Sequence, residues 1–402
     1  MGQSTSKLVR WWINRSIDKS IGESPAGKPD WKIVDSPNWP DCVPEGKDVK
    51  IQETEAGIRF VRPPENRFKN LPEYHFEPHY ALIDGLRMHY VDEGPKKGEL
   101  VLMLHGQPTW SYLYRKMIPP LVAAGFRTIA ADLIGMGRSD KPVDLSFHTY
   151  ELHVQRLKKF IETLNLRNIT LFCQDWGGLM GLRIVGDQPD VFARVIAANT
   201  MLPIIPKGMN PFRVPNPVKI NCELGNFVKP QISSSARSVF ISNFQKWILY
   251  ALTAPNFMSS QIVNAMASNK LTSEEAAAYD APYPSMIYKA AVRTFPSMIA
   301  AIEDQNASAW KALGKFRKPF LFLGGKRDLS GQGSEANQKR LTEHILGAKG
   351  QPHERFDAGH FIQEDIGETL ANKIIQFVEK IGGAHALGLK LRQSGNSGKF
   401  RT

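Results

Sequence analysis

The chain has 402 residues, 42% of them hydrophobic and 22% charged, with a formal net charge of +12. This is the composition of a folded globular protein rather than of a disordered or fibrous one. The positive balance raises nucleic acid and anionic membranes as partners, but the sequence has no zinc-finger spacing and no basic stripe interleaved with aromatics, so no nucleic-acid partner is expected. Cys42, Cys173 and Cys222 are widely spaced and make no disulfide framework, which predicts a reducing, cytoplasmic setting. No run of about 18 apolar residues occurs, so no membrane-spanning segment is expected either.

Part of the charge gathers at the ends. Lys7, Arg10, Arg15 and Lys19 stand against Asp18 alone, and the last residues carry Lys390, Arg392, Lys399 and Arg401 without an acid. The opening "MGQSTSK" fits the N-myristoylation pattern, with Gly2 freed once Met1 is removed and Ser6 in place. Behind it Val9, Ile13, Ile17 and Ile21 recur every four residues beside Trp12, while the cations fall elsewhere on the turn. A basic, tryptophan-bearing amphipathic helix is the form of a segment that lies on a membrane surface, and a single acyl chain needs such a second signal. Residues 2–21 are therefore a candidate peripheral anchor. A helix docked on the core, or a mitochondrial presequence, would carry a similar pattern. Residues 25–56 are rich in proline, glycine and alternating charge, which makes 1–56 an N-terminal extension ending in a linker.

From residue 57 the pattern becomes regular. "GLRMHYVDEG" alternates like a hairpin strand; "ELVLMLHG" is an unbroken apolar run, as in a strand buried on both faces, and "RTIAADLIG" repeats it. Leu157, Phe160, Ile161 and Leu164 have helical spacing, then "NITLF" and "RVIAANT" return to strand. This alternation predicts an α/β fold with a mostly parallel central sheet. It breaks at Pro203. Residues 203–300 read as helical and strand-free, including a helix from Thr272 or Ser273 that stops before Pro282. "KPFLFLGG" and "HERFDAGH" then resume the sheet, with an amphipathic stretch over 334–346 between them. The expected organisation is a core over 57–202 and 301–383, a helical lid over 203–300, and a basic tail over 384–402. The crevice between lid and strand ends is the expected binding site.

Four unusual clusters follow four of these strands: "HGQPTW" at 105–110, "CQDWGG" with Asp175, "GGKRDL" with Asp328 and "DAGHF" with His360. An aspartate after a strand ordinarily caps the next helix, and a lone loop acid or histidine is unremarkable. Together they stand in the order nucleophile, acid, histidine of the α/β-hydrolase fold, with Gly177 two residues past the candidate nucleophile, where a sharp elbow tolerates little bulk. "DLIGMGRSDKP" lacks the third glycine of a dinucleotide loop and is not read as one.

Over residues 57–383 the chain resembles the haloalkane dehalogenase family, in particular the subgroup with a lid tryptophan in its halide site. The residues carrying the resemblance are "HGQPTWSYLYRKMIP", "ADLIGMGRSDKPVD", "NITLFCQDWGG", "LTSEEAAAYDAPYP" and "DAGHFIQED". The resemblance implies an α/β-hydrolase fold, a small apolar halogenated substrate, a halide product, and no metal or organic cofactor. It implies Asp175 as the nucleophile that forms an alkyl ester, His360 as the base that activates water, and Asp328 as its partner. A carboxylate is charged at neutral pH and needs no base to activate it. The backbone N–H groups of Gln107 and Trp176 would form the oxyanion hole. The indoles of Trp176 and Trp247 would receive the halide, since an anion entering a dry pocket requires N–H donors. Phe244 and Pro284 would line the pocket. Gln107 departs from the glutamate or asparagine usual there, which bears on rate and substrate range. An epoxide hydrolase would use the same triad with lid tyrosines such as Tyr250, Tyr279, Tyr283 or Tyr288. A luciferase-type oxygenase or a non-catalytic tethered protein would share the scaffold.

Overall fold

A computed structural model describes residues 49–208, 220–221, 226–227, 243–254 and 257–382. Its centre is an eight-stranded sheet: β1 (His79–Ile83), β2 (Leu86–Glu93), β3 (Leu100–Leu104), β4 (Arg127–Ala131), β5 (Ile169–Gln174), β6 (Phe192–Ala198), β7 (Phe320–Gly325) and β8 (Glu354–Phe356). The spatial order is β1-β2-β4-β3-β5-β6-β7-β8. β1, β2 and β4 pair antiparallel, and the pairs from β4 to β8 are parallel. Every residue of β3, β5 and β7 is buried, which is why these segments read as continuous apolar runs rather than alternating ones.

Helices cover the sheet: α1 (Ile118–Ala123), α2 (Tyr150–Thr163), α3 (Asp175–Asp187), α4 (Asn243–Thr253), α5 (Ser259–Met266), α6 (Ser273–Asp280), α7 (Ala290–Met298), α8 (Ala307–Leu313), α9 (Glu335–His344) and α10 (Ile362–Gly382). α2 buries Tyr150, Val154, Leu157, Phe160 and Ile161 along one side, and Thr149 caps its start by accepting from the Leu152 N–H. α6 opens on a capping box in which Thr272 and Glu275 satisfy each other's backbone N–H groups. α10 occupies a stretch to which the sequence reading assigns no helix. Two short ladders also qualify that reading. Ile220–Asn221 pairs with Asn226–Phe227 inside the segment read as strand-free. Gln52–Glu53, ahead of residue 57, pairs with Arg59–Val61.

The helices between β6 and β7 are tied to the core through one buried cation. The Arg115 side chain is wholly buried and donates from both terminal nitrogens to Glu364 at 2.7 Å, and from one of them to Glu275 of α6 at 2.6 Å. Tyr279 of α6 donates to Glu364 as well. Such a network is costly to break because its buried charges are held by one another. Among the described residues no helix is long and apolar enough to cross a membrane. Gly2, the candidate anchor at 2–21 and the basic tail lie outside the described residues.

Candidate active site

The candidate nucleophile sits where β5 turns into α3. Asp175 is the first residue of the helix and has φ +48, in the left-handed region that aspartate tolerates better than most residues. The turn is held from both sides: the Asp175 N–H donates to the Asn199 carbonyl at 3.1 Å, and the Thr200 hydroxyl donates to the Asp175 carbonyl at 2.8 Å. A side chain at Gly177 would run into the Leu104 carbonyl, and one at Gly106 into the Asp175 carboxylate. Both glycines are thus required by close approach. Asp175 does not cap its own helix. One carboxylate oxygen, Oδ1, accepts from the Gln107 backbone N–H at 2.9 Å, and Oδ2 accepts from the Gln332 carboxamide at 2.9 Å.

His360, on the loop between β8 and α10, brings Nε2 to 3.6 Å from Asp175 Oδ2 and Nδ1 to 3.0 Å from Asp328 Oδ1. Its backbone N–H donates to the Met266 carbonyl at the end of α5, so the helices between β6 and β7 help to place it. Burial alone would raise the Asp328 carboxyl; the His360 ring and the hydroxyl and N–H of Ser330 hold it below the ordinary carboxylate value instead. Gly333 adds a further N–H at 2.6 Å. Burial likewise acts to lower His360, but the Asp328 and Asp175 carboxylates outweigh it and raise the imidazole to about 10. The three separate strand ends noted in the sequence therefore converge on one constellation.

The other expected residues are placed as follows. Trp176 is buried, with its ring edge-on to Phe295 at 5.4 Å, and its indole N–H has no hydrogen-bond acceptor among the described residues. Trp247 lies in α4, half-buried, stacked on Tyr250 at 5.7 Å and beside Phe257. Phe244 precedes it by one turn, also half-buried against the core. Pro284 is exposed. The Gln107 side chain turns to α7 and donates to the Val292 carbonyl at 2.6 Å, while its backbone N–H meets Asp175.

Three residues without an assigned part in the sequence reading also meet the triad. Gln174 is buried, and its amide lies 3.1 Å from His360 Nε2 and donates to the His360 carbonyl. Asn199, at the end of β6, donates to the carbonyls of Gly359 and His360 and accepts from the Gly325 N–H, locking the ends of β6 and β7 to the histidine loop. Gln332 is the third. Gln174 and Asn199 each carried a signal, a polar amide at the end of an apolar strand facing the crevice. Gln332 carried none, because a Ser-Gly-Gln-Gly-Ser turn is indistinguishable from an ordinary surface loop.

A mostly parallel sheet with a carboxylate elbow, a histidine and a second acid at its strand ends defines the class as α/β-hydrolase, and residues 99–365 match the family of the alpha/beta hydrolase fold. The chain is 41% identical over 332 residues to the haloalkane dehalogenase of Psychrobacter cryohalolentis, covering 80% of this chain and 98% of that protein. It is 41% identical over 328 residues to the haloalkane dehalogenase of Mycobacterium marinum, covering 79% of this chain and 99% of that one. A tetrameric haloalkane dehalogenase from Paraglaciecola agarilytica NO2 superposes with a TM-score of 0.64 at 33% identity, covering 79% of this chain and 97% of that chain. The chain belongs to the haloalkane dehalogenase family. It is a hydrolase acting on carbon–halide bonds, with a halogenated alkane as substrate and an alcohol and a halide as products.

Proposed function

We propose that Asp175 performs the displacement, His360 the hydrolysis, and Asp328 the orientation of the imidazole. Asp175 attacks the carbon that bears the halogen, forming a C–O bond as the halide leaves with the bonding pair. His360 then takes a proton from water as that water adds to the ester carbonyl, and the Gln107 and Trp176 backbone N–H groups receive the oxyanion. The observation that carries this reading is the shared geometry of one carboxylate, with Oδ1 on the Gln107 N–H at 2.9 Å and Oδ2 facing His360 at 3.6 Å. The Gln107 side chain is committed to Val292, so its part is that of its backbone rather than of a halide ligand. Of the four lid tyrosines offered for the epoxide alternative, Tyr279 spends its hydroxyl on Glu364, and turnover of an epoxide substrate would test Tyr250, Tyr283 and Tyr288.

The halide is received by the indole N–H of Trp176 with that of Trp247, against a wall that includes Phe244; Pro284, being exposed, would act only at the pocket mouth. Trp247→Phe is expected to weaken bromide binding about ten-fold, as loss of one charge-assisted hydrogen bond would. Quenching of tryptophan fluorescence by bromide checks this; an unaltered titration removes Trp247 from the site.

The finer location follows from sequence. Gly2 acylation together with the amphipathic stretch 2–21 holds the enzyme at the cytoplasmic face of a membrane. In cells that acylate N-terminal glycine, Gly2→Ala is expected to move most of the full-length protein from the membrane pellet to the supernatant. An unchanged distribution would rule out the acyl chain.

A further inference from the structure

We propose that the Gln332 carboxamide caps the attacking oxygen of Asp175 in the substrate-free enzyme, which makes Gln332 a positioning residue that governs the alkylation step. The proposal rests on the reading of Asp175 as nucleophile. The two carboxylate oxygens are not equivalent. Oδ1 already touches the Gln107 backbone N–H, the group that must later hold the oxyanion, so Oδ1 becomes the ester carbonyl oxygen. Oδ2 therefore forms the bond to carbon, and Oδ2 is where the Gln332 Nε2–H lies, at 2.9 Å. The nitrogen rather than the oxygen of the amide must face the carboxylate, since two oxygens would repel.

In-line displacement needs an Oδ2 lone pair aimed at carbon. A hydrogen bond from Gln332 occupies that electron density and spreads the charge that makes the carboxylate reactive. The substrate must displace the amide before the C–O bond forms and the carbon–halogen bond breaks. The surroundings let the side chain move while the backbone stays. The Gln332 N–H donates to the Ser330 hydroxyl at 3.2 Å, and its carbonyl accepts from the Asn337 amide at 2.6 Å. The next residue, Gly333, donates to Asp328 Oδ2, so the turn that binds the triad acid also presents the cap. The carboxamide itself is held at one end only: its Oε1 is buried and has no hydrogen-bond partner. A half-satisfied buried amide loses less on leaving than a fully bonded one.

The test uses the full chain with His360→Phe, in which alkylation is separated from hydrolysis, and follows adduct formation with 1,2-dibromoethane by intact mass. Adding Gln332→Met, which keeps length and removes the donor, is expected to raise the second-order alkylation rate constant about ten-fold. Gln332→Asn, whose shorter amide falls short of Oδ2, should give the same rise and guards against a packing defect peculiar to methionine. With His360 intact, ester hydrolysis measured in single turnover should be unchanged by either substitution, a separation that a purely structural role for Gln332 would not produce. Alkylation that is unchanged or slower in both variants overturns the proposal. If the His360→Phe parent itself forms no adduct, the covalent scheme fails first, and the cap fails with it.

Discussion

Replacing Asp175 with asparagine will lower bromide release from 1,2-dibromoethane by roughly 10⁴-fold or more while the protein stays folded. The chemical half of this expectation is simple: an amide oxygen is neutral and its lone pair is delocalised, so it does not displace halide from saturated carbon. The structural half depends on the elbow. Asparagine accepts the left-handed conformation at φ +48 as aspartate does, and the backbone bonds to Asn199 and Thr200 do not involve the side chain. Of the two donors that meet the carboxylate, one would face the new NH₂ group. If that donor is Gln332, its amide can rotate and offer Oε1. Were it the Gln107 N–H instead, an unpaired buried donor would cost about 1–3 kcal/mol, a fall in melting temperature of several degrees rather than loss of the fold. Halide-release assays with thermal unfolding on the same preparation check both halves. Retained activity in a folded variant would falsify the assignment of the nucleophile.

His360→Phe is expected to stop turnover after one event and to accumulate enzyme carrying one bromoethyl group, visible by intact mass. Asp328 keeps the Ser330 hydroxyl and the N–H groups of Ser330 and Gly333, so the buried carboxylate is not orphaned by the loss of the imidazole. On the proposed scheme the electrostatics would also make the second step wait for the first. In the free enzyme the Asp328 and Asp175 carboxylates raise His360 and favour its protonated form. Alkylation as proposed would convert Asp175 into a neutral ester and remove one of the two charges holding that proton. The proposed ester would therefore lower the imidazole pKa at the step that needs a base. Accordingly, in the wild-type enzyme, single-turnover ester hydrolysis should titrate at a lower pH than the histidine of the free protein. The same shift acts on stability. Because the folded value lies above the unfolded 6.5, His360 contributes stability that is present below that pH and is lost as pH rises through about 10. The fall in thermal midpoint between those limits should be smaller in His360→Phe than in the wild type.

Much of this was legible from the residues, for identifiable reasons. Apolar runs such as "LVLML" and "ITLF" announce strands buried on both faces, and the polar clusters after them mark the strand ends where open α/β sheets bind ligands. The order of Asp175, Asp328 and His360 along the chain suggested them as a group, and the structure brings the three side chains together. Helices between β6 and β7 were readable from periodicity, and Thr272 and Glu275 announced the start of α6 by a local rule that needs no tertiary information. By contrast, a two-residue ladder such as Ile220–Asn221 with Asn226–Phe227 is too short to leave a periodic trace.

By itself, then, the sequence determined which segments become buried strands and the order in which Asp175, Asp328 and His360 follow them, because these depend on periodicity and on residues close in the chain. Only the tertiary structure decided that Gln107 spends its side chain on Val292, that Gln174 and Asn199 secure His360, and that Gln332 lies on Asp175. Each of those contacts joins groups brought together by the register of neighbouring strands or by the packing of the lid. An amide able to donate in many directions says nothing of its partner until that packing leaves it one.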